Sequence, residues 1–143
     1  MREYSVLERP SEQRISEKKM PEAIQVVTTA ATKTDAQAIA TVVVGKRLAA
    51  CAQVIGPITS TYWWQGQIET ADEWLCIMKS RQDLYEALEK AIRQAHPYDV
   101  PEILAIPIAQ GSQDYLEWMD RELAQPADGG QWTADSRRRM GRE

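Results

Sequence analysis

The sequence contains no phenylalanine, a single histidine and two cysteines among 143 residues. One histidine among dispersed serines provides no Ser-His-Asp set, and neither of the glycine-rich loops that hold nucleotide phosphates is present. The spacing of Cys51 and His96 does not forbid a Cys-His enzyme, but nothing in the sequence singles that pair out. We therefore expect a protein that is not an enzyme.

Long apolar runs and excess positive charge are also missing. No run of about 18 apolar residues is available to cross a membrane, and the first twenty residues lack the apolar segment of a signal peptide. The formal net charge is −4, and acidic residues outnumber basic ones between residues 22 and 124. An acidic domain repels phosphate backbones, and the arginines at 137–139 are interpreted as a solvated tail. We expect a cytoplasmic protein with neither nucleic acid nor membrane as a partner.

The length and the composition predict one folded domain with polar ends. Residues 1–21 are charged and aperiodic, which indicates a mobile N-terminal extension. Residues 22–124 carry the periodic apolar patterns of a globular domain. Residues 125–143 are interpreted as a loose polar tail.

The periodic segments alternate between strand and helix character. Strands are predicted for AIQVVTTA, for the long segment ACAQVIGPITSTYWWQG, for WLCIMKS and for EILAIPIAQG. Helices are predicted from a capping box at Thr34 to about Leu48, from about Gln82 to His96 where Pro97 ends the helix, and after Ser112. The order β-α-β-β-α-β with an additional C-terminal helix is the ferredoxin-like α+β plan.

The expected sheet is antiparallel with strand order 4-1-3-2. Pro57 and Pro107 lie in the second and fourth predicted strands, and proline cannot donate a hydrogen bond within a central ladder. The order 4-1-3-2 places both strands at the edges of the sheet. The hairpin turn is expected near Gly66 or at 69–72, and either turn leaves Cys51 and Cys76 too far apart along the ladder for a disulfide.

The second and third strands form a hairpin that is too long for the domain. A strand of about 16 residues spans about 50 Å, whereas a domain of about 100 residues has a radius of gyration near 13 Å. The hairpin carries Tyr62, Trp63, Trp64 and Trp74, and soluble monomers rarely expose so large an apolar patch. A second copy of the chain is the simplest partner for it.

Three separated signatures make residues 24–124 resemble the CutA divalent-cation-tolerance family. They are Ala50-Cys51, Tyr62-x-Trp64-x-Gly66 and His96-Pro97-Tyr98-x-Val100-Pro101-Glu102, with Asp99 where glutamate is commoner. The resemblance implies a ferredoxin-like homotrimer built by pairing of sheet edges, with kinship to the PII signal-transduction proteins. It also implies a link with copper tolerance.

The metal ligands of the family are mostly replaced here. Where copper ligands are assigned in the family, the resemblance places a cysteine at Thr28 and two histidines at 95 and 96, of which this chain retains only His96. Copper prefers thiolate and imidazole ligands, which threonine and alanine do not supply. We expect Cu(II) or another divalent cation to bind weakly, and no cofactor to be needed for folding. The alternative interpretation is that His96 binds no metal and is present because the negative end of the helix dipole favours a histidine at a helix C-terminus.

A cleft between subunits is the expected ligand site, and its candidate residues are Cys51, Tyr62, Trp64, Lys79, Tyr98 and Glu102. Each has a plainer interpretation. Cys51 between alanines is typical of a buried small residue, Cys76 of the core, and Lys79 could pair with Glu102 or Glu69 at the surface. The functional hypothesis is a trimeric protein of divalent-cation tolerance that binds a metal or small ligand. The alternative is a PII-like trimer that binds partner proteins.

Overall fold

The computed structural model describes residues 22–125, so the predicted extension at 1–21 and all but the first residue of the predicted tail lie outside the described residues. The elements are β1 (Ala23–Ala30), α1 (Lys33–Gly45), β2 (Cys51–Trp64), β3 (Gln67–Arg81), a 3-10 turn (Gln82–Leu84), α2 (Tyr85–Ala95), β4 (Leu104–Pro107) and α3 (Gln113–Glu122). The four strands form one antiparallel sheet in the order β2-β3-β1-β4. The α+β class and the predicted strand order are confirmed, and both prolines lie in edge strands.

The core lies between one face of the sheet and the helices. Alternate residues of a strand point to the same face, and this face carries Ile24 and Val26 of β1 with Cys76 and Met78 of β3, all nearly fully buried. They form one cluster with Ile39 and Val43 of α1 and Leu88 and Ile92 of α2. The prediction that Cys76 belongs to the core is confirmed.

The N-cap of helix α1 lies two residues earlier than expected. Thr32 is the N-cap, because its backbone is extended and its Oγ1 accepts a hydrogen bond of 3.0 Å from the Asp35 N–H. The expected cap, Thr34, lies inside the helix. The helix also ends at Gly45 rather than near Leu48, since Arg47 adopts a left-handed backbone with φ of 59°.

Strand β4 has four residues instead of the ten that its composition predicted. Leu104–Pro107 pair with Ile24–Val27, so β4 covers only the first half of β1. Glu102 therefore lies in the loop before β4, and the expectation that it starts a strand is wrong.

The face of the sheet opposite the helical core, here called the open face, is apolar. By strand alternation it carries Ile55, Leu75, Ile77, Leu104 and Ile106. Ile55 is 52% exposed and Leu104 is 55% exposed. An isolated chain therefore leaves a row of aliphatic side chains in contact with solvent.

The β2–β3 hairpin extends beyond the rest of the sheet. Strand β1 pairs with β3 only as far as Ala30 opposite Trp74, whereas β2 and β3 remain paired out to Trp64 opposite Gln67. The two-residue turn at Gln65 and Gly66 has positive φ at both positions, which matches the twist of a hairpin. We call residues 58–73 the arm. It projects roughly 23 Å past the end of β1 at about 3.3 Å per residue.

Candidate functional site

His96 follows α2 and is fixed through both of its ring nitrogens. The Tyr98 N–H donates to Nδ1 at 3.1 Å, so Nε2 carries the proton and donates to the Thr29 carbonyl at 2.7 Å. The ring is buried and lies 4.7 Å from the Tyr98 ring, centroid to centroid. In this arrangement neither nitrogen offers a lone pair to a metal. His96 ties the chain after α2 to the end of β1.

Tyr98 joins the same loop to the root of the arm. Its hydroxyl donates to Glu73 Oε2 at 3.0 Å. Burial, together with the hydrogen bond and the negative charge of Glu73, raises the pKa of Tyr98 to about 12. The charges of Tyr62 and Asp35 raise the pKa of Tyr98 further, by smaller amounts.

Cys51 and Lys79 form a second group near the other end of the sheet. They are opposite each other on β2 and β3. Lys79 Nζ donates to Gln53 Oε1 at 3.1 Å, and Cys51 Sγ lies 3.5 Å from the Tyr115 hydroxyl. The hydrogen bond with Cys51 is the first cause of a raised pKa at Tyr115. Cys51 is partly exposed, so the expectation that it is buried is wrong. It lies on the edge strand β2, on the open face of the sheet.

The expected ion pair of Lys79 is also absent from the described structure. Gln53 is its diagonal neighbour across the ladder and lies within reach of a long side chain. Glu69 is ten residues further along the same strand, roughly 33 Å away at 3.3 Å per residue. Glu102 is exposed in the loop before β4.

The structure does not gather the six candidate residues of one chain into one cleft. Tyr62 and Tyr98 lie at the arm, and Trp64 lies at its tip opposite Gln67. Lys79 is twelve residues from Gln67 along β3, which is roughly 40 Å in an extended strand. Tyr62 is 41% exposed and Trp64 57% exposed. In one chain, five of the six candidates therefore form two separate groups, one at the arm and one around Lys79, and Glu102 lies apart from both in the loop before β4.

Cys51 and His96 are likewise apart. Cys51 pairs with Lys79, whereas His96 bonds to Thr29, whose partner on β3 is Leu75. Four residues of β3 separate these points, roughly 13 Å. A nucleophile and its base need hydrogen-bond contact, which the two side chains do not make within one chain.

The other two positions implied for metal binding are occupied by Thr28 and Ala95, which have no thiolate or imidazole group to coordinate copper. Thr28 is buried opposite Cys76, and its hydroxyl has no hydrogen-bond partner among residues 22–125. Burial raises the pKa of the Cys76 thiol to about 11, which opposes the thiolate form that binds metals. The described part of the chain contains no group of three His, Cys, Asp or Glu side chains able to hold a metal ion. The two cysteines are free, as the predicted register required.

Sequence reasoning missed Glu73, Gln53, Tyr115 and Thr29. Glu73 and Gln53 meet Tyr98 and Lys79 only because the strands pair in this register. Tyr115 reaches Cys51 across 64 positions of sequence. The Thr29 group is a backbone carbonyl, for which a sequence holds no signal at all.

An antiparallel α+β sheet with a projecting aromatic arm and a short edge strand defines the structural class, and comparison with known proteins identifies the family. Residues 24–122 match the family model described as CutA1 divalent ion tolerance protein. The chain belongs to this family.

Individual relatives agree with this assignment. The divalent-cation tolerance protein CutA of Yersinia pestis (strain Pestoides F) is 41% identical over 101 residues, which cover 71% of this chain and 85% of that protein. The chloroplastic protein CutA 1 of Oryza sativa subsp. japonica is 39% identical over 97 residues, covering 68% of this chain but only 55% of the rice protein. The solved structure of the periplasmic divalent cation tolerance protein CutA from Archaeoglobus fulgidus superposes with a TM-score of 0.68 at 35% identity, covering 70% and 97% of the two chains.

None of the helices between residues 22 and 125 is long and apolar enough to cross a membrane. The cytoplasmic location expected from the sequence stays a prediction.

Proposed function

We propose that this protein works as a homotrimer in divalent-cation tolerance or response, and that a metal or small ligand binds in the clefts between its subunits. The observation that carries the proposal is the exposure of the arm. Trp63 is 72% exposed and Ile68 is 62% exposed on a segment that pairs only with itself among the described residues. Such a surface is typical of a subunit contact rather than of a free monomer.

The open face and the two sheet edges supply the rest of the proposed interface. The β-α-β-β-α-β order corresponds to a ferredoxin-like plan, in which β2 and β4 leave their outer backbone groups without a neighbouring strand from residues 22–125. Pairing of such edges between copies would satisfy these groups and bring aliphatic residues of the open face into contact. Burial of apolar area stabilises such an assembly by about 25 cal/mol per Å² before the entropy of association is deducted.

A trimer also explains why the candidate cleft residues are dispersed in one chain. Trp64 and Lys79 of one chain are roughly 40 Å apart along the sheet. An arm that reaches across a neighbour would place its aromatic residues beside another part of that neighbour's sheet. We propose that Cys51, Tyr62, Trp64, Lys79, Tyr98 and Glu102 line clefts to which two subunits contribute.

A PII-like module that binds partner proteins is the second candidate. One observation favours it over a metal-binding role: His96 already uses both ring nitrogens within its own chain. A metal at His96 would have to displace either the Tyr98 N–H or the bond to the Thr29 carbonyl. We therefore propose that Cu(II) binds weakly, with His96 assisted by carboxylates, backbone groups or water.

Calorimetric titration distinguishes the two candidates. Wild type, His96→Ala and Cys76→Ser are titrated with Cu(II), and wild type and Lys79→Met with a panel of small anions. We expect Cu(II) affinity no tighter than micromolar, lost in His96→Ala and unchanged in Cys76→Ser, since Cys76 is buried. Nanomolar Cu(II) binding that survives His96→Ala would place the metal elsewhere. If neither Cu(II) nor the small anions bind, the PII-like interaction module is the favoured candidate.

A further inference from the structure

The arm is attached to the rest of the domain over a short segment. Its last contact with β1 is at the pair Ala30 and Trp74, and Glu73 is the next residue outward. From Glu73 to the turn, β3 has β2 as its sheet partner among the described strands. The direction of the arm therefore depends on contacts made at this root, besides the stiffness of the two strands.

Tyr98 makes such a contact from outside the hairpin. Its hydroxyl donates to Glu73 Oε2 at 3.0 Å, and its own backbone N–H donates to His96 Nδ1. His96 in turn donates to the Thr29 carbonyl at the end of β1. These hydrogen bonds thus connect the end of β1, through the loop after α2, to Glu73, which is the first residue of β3 past the end of β1.

Because this contact lies at the root of the arm, a small movement there displaces the tip of the arm by a much larger distance. The arm extends roughly 23 Å beyond the end of β1, so a rotation of about 10° at the root displaces the tip by about 4 Å. A displacement of that size is about one residue along a strand, enough to change which residues of two subunits meet. Trp63 and Trp64 stand close to the tip.

We propose that Tyr98 and Glu73 are positioning residues, which hold the arm at the angle that its aromatic tip needs to contact a neighbouring subunit. This inference rests on the proposed trimer for its functional meaning, but the fixing of the arm is a property of the single chain. Both side chains are only half-buried, and neither belongs to the helical core. Loss of their hydrogen bond should release the arm while it leaves the domain folded.

The experiment compares wild type with Tyr98→Phe, Glu73→Ala, Glu73→Gln and the control Tyr85→Phe. Tyr85→Phe removes a phenol hydroxyl that interacts with Glu89 on α2, away from the arm. Amide hydrogen exchange is measured for residues 58–73 at a concentration where every variant has the same oligomeric state. The subunit dissociation constant and the melting temperature are measured in parallel.

We expect amide exchange in the arm to be at least fivefold faster in Tyr98→Phe and Glu73→Ala, and the dissociation constant to rise at least tenfold. Glu73→Gln retains an acceptor oxygen and should stay close to wild type, as should Tyr85→Phe. Arm exchange in Tyr98→Phe and Glu73→Ala equal to that of the control would overturn the inference. If wild type proves monomeric, the proposed trimer fails, while the exchange rates still decide whether Tyr98 fixes the arm.

Discussion

Gly56 lies against the indole of Trp74, so closely that a Cβ at position 56 would stand 2.5 Å from Trp74 Cε3. The contact coincides with the irregularity in the β2–β3 register between Ile55 and Ile58, where the arm begins. Lys33 Nζ lies 5.7 Å from the centroid of the Trp74 ring. Trp74 therefore occupies the space that a side chain at position 56 would need.

Gly56→Ala should destabilise the protein. The added methyl group would force the indole or the backbone of β2 to move, and overpacking of this kind costs about 1–3 kcal/mol. Urea unfolding followed by circular dichroism measures the change. The matched control is Gly45→Ala at the end of α1, where an added Cβ meets nothing within 4 Å. There alanine should be neutral or slightly stabilising, and an equal loss in both variants would contradict the account.

Arg81→Met should loosen α3 from the sheet. The buried guanidinium donates to Asp83 at 2.9 Å, to Asp120 of α3 at 2.7 Å and to the Ala124 carbonyl at 2.7 Å. Methionine fills a similar volume but leaves the buried Ala124 carbonyl without this donor, so the free energy of unfolding should fall by about 2–3 kcal/mol. Chemical denaturation measures it.

The control for Arg81 is Arg93→Met. Arg93 donates to Glu89 one helical turn away on the exposed side of α2, at 2.9 Å. Exposed ion pairs of this spacing contribute little to stability. The midpoint of unfolding should therefore stay close to that of wild type. A loss in Arg93→Met as large as in Arg81→Met would mean that burial of the guanidinium is not what matters.

Stability should decline in alkaline solution. The folded state raises the pKa of Cys76 from 9.0 to about 11 and that of Tyr98 from 10.0 to about 12. Between the unfolded and folded values the native state holds more protons than the unfolded state, so the free energy of unfolding falls as pH rises. The contribution of Cys76 is complete below about pH 9 and lost by about pH 11, and that of Tyr98 is lost between about pH 10 and 12.

Melting temperatures recorded from pH 8 upward test this linkage. Cys76→Ala should decline less steeply than wild type between about pH 9 and 11, even though its melting temperature at pH 8 is lower because of the cavity. Tyr98→Phe should decline less steeply than wild type between about pH 10 and 12, whatever its melting temperature at pH 8. Parallel curves for wild type and Cys76→Ala would show that thiol burial does not govern this range.

Removal of metal should leave the fold unchanged. The core is formed by aliphatic and small side chains, and the predicted ligand His96 is held by hydrogen bonds within the chain. Dialysis against a strong chelator should shift the melting temperature by less than about 2 °C, whereas a structural metal would contribute folding free energy outright. A large drop that added Cu(II) or Zn(II) reverses would contradict this expectation.

Local patterns in the sequence were sufficient to predict the order of the elements and of the strands. Pro57 and Pro107 marked the edges because a missing N–H is tolerated only there. Of the two hairpin turns that the sequence allowed, near Gly66 and at 69–72, the structure adopts the first. The end of α1 and the length of β4 were not predictable in this way, since they depend on the backbone of Arg47 and on the point at which the chain after α2 joins β1.

The contacts of the candidate residues were much less predictable. The partner of Lys79 is Gln53 rather than an acid because the register determines which side chains are within reach. The two hydrogen bonds of His96 depend on a carbonyl and an N–H that any sequence would supply. Residue types therefore indicated which side chains are capable of binding, whereas only the geometry shows which are already occupied.

Sedimentation equilibrium at micromolar concentration tests the central claim most directly, because the roles proposed for the arm, the open face and the clefts all depend on a second copy of the chain. The account predicts a single species of about 49 kDa, three times the 16.2 kDa mass of the chain. A species of 16.2 kDa that persists throughout the micromolar range would contradict it.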